Sequence, residues 1–172
     1  MVARPTLRPP LLALAAVLAA LPAPLAAREA PAFCAGLASA ELAALVGGST
    51  EVPGSGPHDI DGRRVYACRY GDLFGAHLIV NIGSGATGRG DPAAQVAEYV
   101  ALFRLTEGEG YLLDRLEGLG DAAIWDPQVQ MLVAWLHGGG VEVNLTGEGL
   151  DDPDAVTKAA RLILPLLPEA LP

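Results

Sequence analysis

His58, His77 and His137 are the side chains best suited to hold a transition metal or move a proton near neutral pH. His77 and His137 fall on expected strands and could approach each other across a sheet, with Asp59 or Asp61 adding a carboxylate to a zinc site. The spacing does not support this, because no close histidine pair of the H-E-x-x-H kind occurs. Asp151, Asp152 and Asp154 form an acidic knot, but the twelve-residue calcium loop is absent and helix capping explains them more simply. Glu107 and Glu109 flank Gly108 in an expected solvated turn, where nothing drives their pKa values apart. Ser49, Ser55 and Ser84 are loop serines, and none sits in G-x-S-x-G. Gly83 to Gly90 is glycine-rich without the G-K-[ST] of a phosphate loop. No catalytic residue, no metal ligand and no cofactor is therefore assigned. The residues left with binding potential are aromatic: Tyr66, Tyr99, Trp125 and Trp135 are candidate anchors for an apolar ligand, since large rings dominate contact area. The competing reading places them in the core.

The chain has only two cysteines, Cys34 and Cys68, with no C-x-x-C and no histidine near either. A structural disulfide is the expected use. It would close a loop of about 35 residues, worth about 4 kcal/mol in the chain-entropy account.

An oxidising compartment is also what the N-terminus implies. Arg4 and Arg8 precede an apolar run from Leu11 to Ala27 that ends in small residues, the order of a secretory signal. Pro22 and Pro24 interrupt the run, and it falls short of the ~20 apolar residues that a spanning helix needs. Residues 1–27 read as a cleaved signal and residues 28–172 as a single secreted or periplasmic domain, with no stable membrane insertion after cleavage. All 20 acidic residues follow the run, and the formal net charge is −9. Such a surface repels nucleic-acid backbones and anionic lipid. It suits a cationic partner, or simply keeps the protein in solution.

The elements that must position these residues follow from pattern. Ser39 to Val46 reads as a short capped helix ending at Gly47-Gly48. Thr50 to Gly62 is loop or edge strand. Arg63 to Tyr70 alternates, with Tyr66, Cys68 and Tyr70 on one face, and Leu73 to Ile82 returns antiparallel after a turn at Gly71-Asp72. Asp91-Pro92 opens a second helix with Val96, Tyr99, Val100 and Phe103 at helical spacing. Leu116 to Trp125 turns into a strand, and Val129 to His137 with Val141 to Leu145 makes another hairpin across Gly138-Gly139-Gly140. Asp152-Pro153 starts a last helix carrying Val156, Ala160, Ile163 and Leu164. The expected fold is α+β: an antiparallel sheet of five to seven strands flanked by three helices and stapled by Cys34–Cys68. The order helix, strands, helix, strands, helix suggests two copies of one unit.

Several of these features resemble actinobacterial secreted lipoproteins grouped under a domain of unknown function. The likeness is carried by Cys34 with its short Leu/Ala helix ending at Val46-Gly47, by Cys68-Arg69-Tyr70, and by Gly118-Leu119-Gly120-Asp121-Ala122-Ala123-Ile124-Trp125. The Leu132-Val133 strand, the glycine turn and the alanine-rich last helix extend it over most of Cys34 to Leu167. The chain departs from that group in having Phe33 before Cys34, where a lipid-attachment site carries a small residue. The resemblance implies no catalytic residue. A more remote resemblance is to secreted domains of PsbP-like architecture, at the level of fold, which does not fix function. The functional expectation is a non-catalytic exported domain that binds a small apolar molecule, an envelope component or another exported protein. The alternative is a small secreted hydrolase whose site assembles only in space.

Overall fold

A computed structural model describes residues 32–48, 54–60, 62–72, 74–84, 91–108, 110–149 and 154–171. Alternation along each strand builds the sheet. Seven strands, β1 (Ser55–Ile60), β2 (Arg63–Gly71), β3 (His77–Ser84), β4 (Asp114–Leu116), β5 (Ala122–Asp126), β6 (Met131–Leu136) and β7 (Val141–Glu148), pair antiparallel throughout. Their order is β1-β2-β3-β7-β6-β5-β4. Register aligns like with like: Cys68, Val80, Leu145, Leu132 and Trp125 form one row across five strands. Tyr66, Ile82, Val143, Ala134 and Ala123 form the next row on the same face. A one-residue slip in any strand would turn these side chains to the other face, so the apolar rows fix the register.

That first face is covered by helices from both ends of the described chain. Residues 32–36 form a helical turn (α1), followed by α2 (Ala40–Leu45) and, much later, by α4 (Ala155–Ile163) with a 3-10 turn at Leu164–Leu166. Ser39 caps α2 by accepting from the Leu42 N–H at 3.0 Å. Leu42, Val46, Val156, Ala159, Ala160 and Ile163 pack against the sheet rows in one large core. The Cys34–Cys68 disulfide ties α1 to the middle of β2, with Cα atoms 5.4 Å apart. The Tyr70 hydroxyl donates to the Cys34 carbonyl at 2.9 Å, and the Phe33 ring lies 4.6 Å from that of Tyr66.

The second face is divided. Under β2, β3 and β7 it carries Val65, Ala67, Arg69, Ile79, Asn81, Glu142, Asn144 and Thr146, none of them fully buried. The Arg63 guanidinium crosses Gly83, 3.1 Å from where a Cβ would stand, on its way to Glu142 at 3.3 Å. Under β5 and β6 the face is apolar, and α3 (Pro92–Glu107) lies on Ile124, Val133 and Trp135.

Several expectations are corrected. The β2–β3 connection is not a tight turn at Gly71-Asp72: it spans the residues between Gly71 and His77, with Phe74 almost wholly exposed at its tip. The apolar pair Leu73-Phe74 imitates strand, but β3 begins at His77. The three residues Asp114–Leu116, two of them charged, form an edge strand that alternation does not reveal, and α1 adds a helical turn to the expected three helices. Asp154 occupies the N-cap of α4 without a side-chain cap hydrogen bond. Asp151, Asp152, Pro153, Glu109, Ser49, Asp61 and the signal reading of residues 1–27 lie outside the described residues. Of the helices among the described residues, none is long and apolar enough to cross a membrane.

Candidate functional site

α3 decides the site. Asp91 caps it, accepting from the Ala93 N–H at 3.1 Å, and Pro92 starts it. Gly108 ends it with φ at 99°, a backbone conformation glycine adopts without strain. Between those ends the sequence is apolar on nearly every side, and of its 16 residues only Gln95 and Val96 are fully buried. Leu105 is 85% exposed and Leu102 58%. α3 thus leaves much of its apolar surface uncovered, next to β4, the outermost strand, which is only three residues long.

The result is a groove of about 640 Å³ between α3, the Leu112-Leu113 connection and β4–β5. Val96, Val100, Leu105, Leu112, Leu113 and Ile124 give it an apolar lining, and Arg104 and Arg115 stand at its walls. Its size lies within the ~300–1,000 Å³ range of small-molecule sites. The connection that forms one wall is anchored: the buried Tyr111 hydroxyl donates to the Asp126 carboxylate, whose other oxygen accepts from the Gln128 N–H at 3.0 Å. Those bonds offset the cost of burying a carboxylate that is 0% exposed.

On the other flank of α3 a smaller cavity of about 170 Å³ is bordered by Tyr99, Leu102, Trp135, Glu98 and Glu142. Here the Tyr99 ring meets Trp135 edge-on at 6.1 Å and stacks on Phe103 at 4.6 Å, which in turn stacks on Tyr111 at 5.3 Å. The Tyr99 hydroxyl and the Trp135 Nε1 are buried without a hydrogen-bond partner among the described residues. Burial first, then the Asp126 and Glu142 carboxylates, push the Tyr99 phenol up to about 12, so it keeps its proton at neutral pH.

Of the four aromatic candidates, the structure brings Tyr99 and Trp135 together beneath α3. Tyr66 lies fully buried on the opposite face of the sheet, and Trp125 packs half-buried against that same core. The histidines do not converge. His77 donates from Nδ1 to the Gly75 carbonyl at 2.9 Å and sets Nε2 3.3 Å from Glu148. His137 is not on a strand but in the β6–β7 turn, with φ at 55°, and its Nε2 donates to the Leu167 carbonyl at 3.2 Å. The two sit beside opposite ends of β7, roughly 23 Å apart at ~3.3 Å per residue. His58 lies exposed on β1, and among the described residues no three His, Cys, Asp or Glu side chains gather as a metal site would require. Ser55 lies exposed in β1, and Ser84 accepts from the Arg64 N–H at the end of β3.

Sequence reasoning missed Arg104, Arg115, Leu112 and Leu113, which come from separate elements and meet only in the fold. A signal was present: the stretch from Ala93 to Leu105 is apolar beyond the needs of one buried stripe. No protein-family model matches the chain, and no curated protein or solved structure matches it either.

Proposed function

We propose that this chain is an exported, non-catalytic binding domain that takes up a small apolar molecule in the groove beside α3. The observation that carries the reading is the seating of α3, which leaves an aliphatic-lined groove open to solvent, whereas the first face of the sheet is closed by well-packed helices. Exposed leucines gathered along one groove are costly to leave in water, and filling the groove recovers that cost. Export is supported by the Arg4 and Arg8 start, the apolar run from Leu11 to Ala27 and the Cys34–Cys68 bridge.

The test is titration with the uncharged fluorescent probe phenylnaphthylamine. The protein is expected to bind it, and Leu105→Ser and Leu112→Ser each to weaken binding severalfold. Both positions are exposed, so neither variant should lose more than about 0.5 kcal/mol of stability, as thermal melting will show. Absence of probe binding, or binding indifferent to both substitutions, overturns the reading.

A further inference from the structure

The groove has a charge pattern that apolar uptake alone does not require. Arg104, in the last turn of α3, and Arg115, on β4, both stand at its walls beside Leu105, Leu112 and Leu113. Arg63 is paired with Glu142, whereas neither groove arginine has a carboxylate within ion-pair distance among the described residues. With 20 acidic residues against 11 basic ones, two unmatched guanidiniums on one apolar groove oppose the character of the chain as a whole.

We propose that the ligand is a single-chain amphiphile with a carboxylate head, a free long-chain carboxylate whose alkyl chain lies along α3 and whose head meets Arg104 and Arg115. This rests on the groove being a binding site. A guanidinium offers a planar fork of donors that fits a carboxylate, and such charge-assisted bonds are the stronger kind. The alkyl chain satisfies the leucine lining, and a volume of about 640 Å³ suits one chain. A single negative charge fits better than a multiply charged head in a protein of net charge −9. The same net charge opposes docking on an anionic membrane surface, so the free molecule is the occupant.

The experiment displaces bound phenylnaphthylamine with dodecanoate, dodecanol and dodecyltrimethylammonium, each below its micelle concentration, using the purified protein. Dodecanoate is expected to bind about tenfold more tightly than dodecanol, and the ammonium compound most weakly. The double variant Arg104→Gln, Arg115→Gln should abolish that preference while leaving dodecanol affinity within about twofold of the original. Both side chains are exposed, and an unchanged melting curve will show that the variant is folded. Equal affinity for dodecanoate and dodecanol, or a preference that survives in the double variant, overturns this inference and leaves the groove reading standing. If none of the three displaces a probe that does bind, the alkyl ligand is excluded while probe binding still supports the groove. If the probe itself does not bind, the groove reading falls and takes the inference with it.

Discussion

The two faces of the sheet are covered by helices of opposite habit. α4 buries five of its nine residues against the first face, with Ala159 and Ala160 allowing close approach to β6 and β7. α3 is nearly twice as long and buries two. The difference is not one of hydrophobicity, since both helices are rich in Ala, Val and Leu. It lies in arrangement and in what stands opposite: α4 gathers its apolar residues on one side, whereas α3 spreads them around the helix. On the first face β2, β3, β7, β6 and β5 each contribute an apolar side chain to the same rows. On the second, the fully buried apolar side chains of the sheet are those of β5 and β6, and the sheet stops at a three-residue strand. One face holds the fold together, and the other has apolar surface to spare for a ligand.

The largest expected effect breaks the comparison most directly. Ile82→Ala or Leu145→Ala, both fully buried on the first face, should cost about 2–5 kcal/mol in denaturant unfolding. Val100→Ala, half-buried on α3, should cost well under half of that. Equal losses would mean that the second face carries as much of the stability as the first. Replacing Cys34 and Cys68 together by Ala should cost about 2–4 kcal/mol. Because the bridge belongs to the first face, probe binding by the still-folded variant should be unchanged, and a loss of binding at temperatures below its melting would show that the faces are coupled.

The smallest effect is alkaline. The Tyr99 phenol sits at about 12 in the fold against 10 for the ordinary group, so the folded state holds that proton more tightly. Its contribution is intact below pH about 10 and is lost as pH rises through about 12. Tyr70, on the first face, is pushed up by burial as well. Tyr99→Phe should therefore remove only part of the alkaline fall in melting temperature, and a small part, since the Tyr99 ring is only partly enclosed. A profile identical to that of the unmodified protein would show that α3 makes no contribution to it.

How far these features were legible in the sequence depends on whether they are local. Ser39 as a cap, Asp91-Pro92 as a helix start and the alternation in Arg63–Tyr70 and Val141–Leu145 are signals within a few residues, and the structure has them where expected. The α+β fold with its antiparallel sheet and single disulfide follows from them. Asp114–Leu116 was illegible because three residues show no period, and because two of them are charged. The apolar pair Leu73-Phe74 misled because an exposed apolar residue such as Phe74 and a strand start look alike in composition. The groove was only half legible. The apolar excess from Ala93 to Leu105 shows that α3 has surface to spare, but the opposite wall comes from Leu112, Leu113, Arg115 and Ile124, which meet α3 only in the fold.

The strand order also bears on how the chain folds. Along it, each strand lies beside its neighbour in sequence except at one place, where β3 meets β7. A three-stranded meander and a four-stranded one are thus joined by a single seam, which pairs Ser84 with Val141 and His77 with Glu148. Each meander can form through short loops, whereas the seam must close a loop of roughly 60 residues that includes α3. It is the longest-range pairing in the sheet, the kind that forms slowly. Shortening that loop by circular permutation, with new ends opened inside it, would accelerate folding if the seam sets the rate.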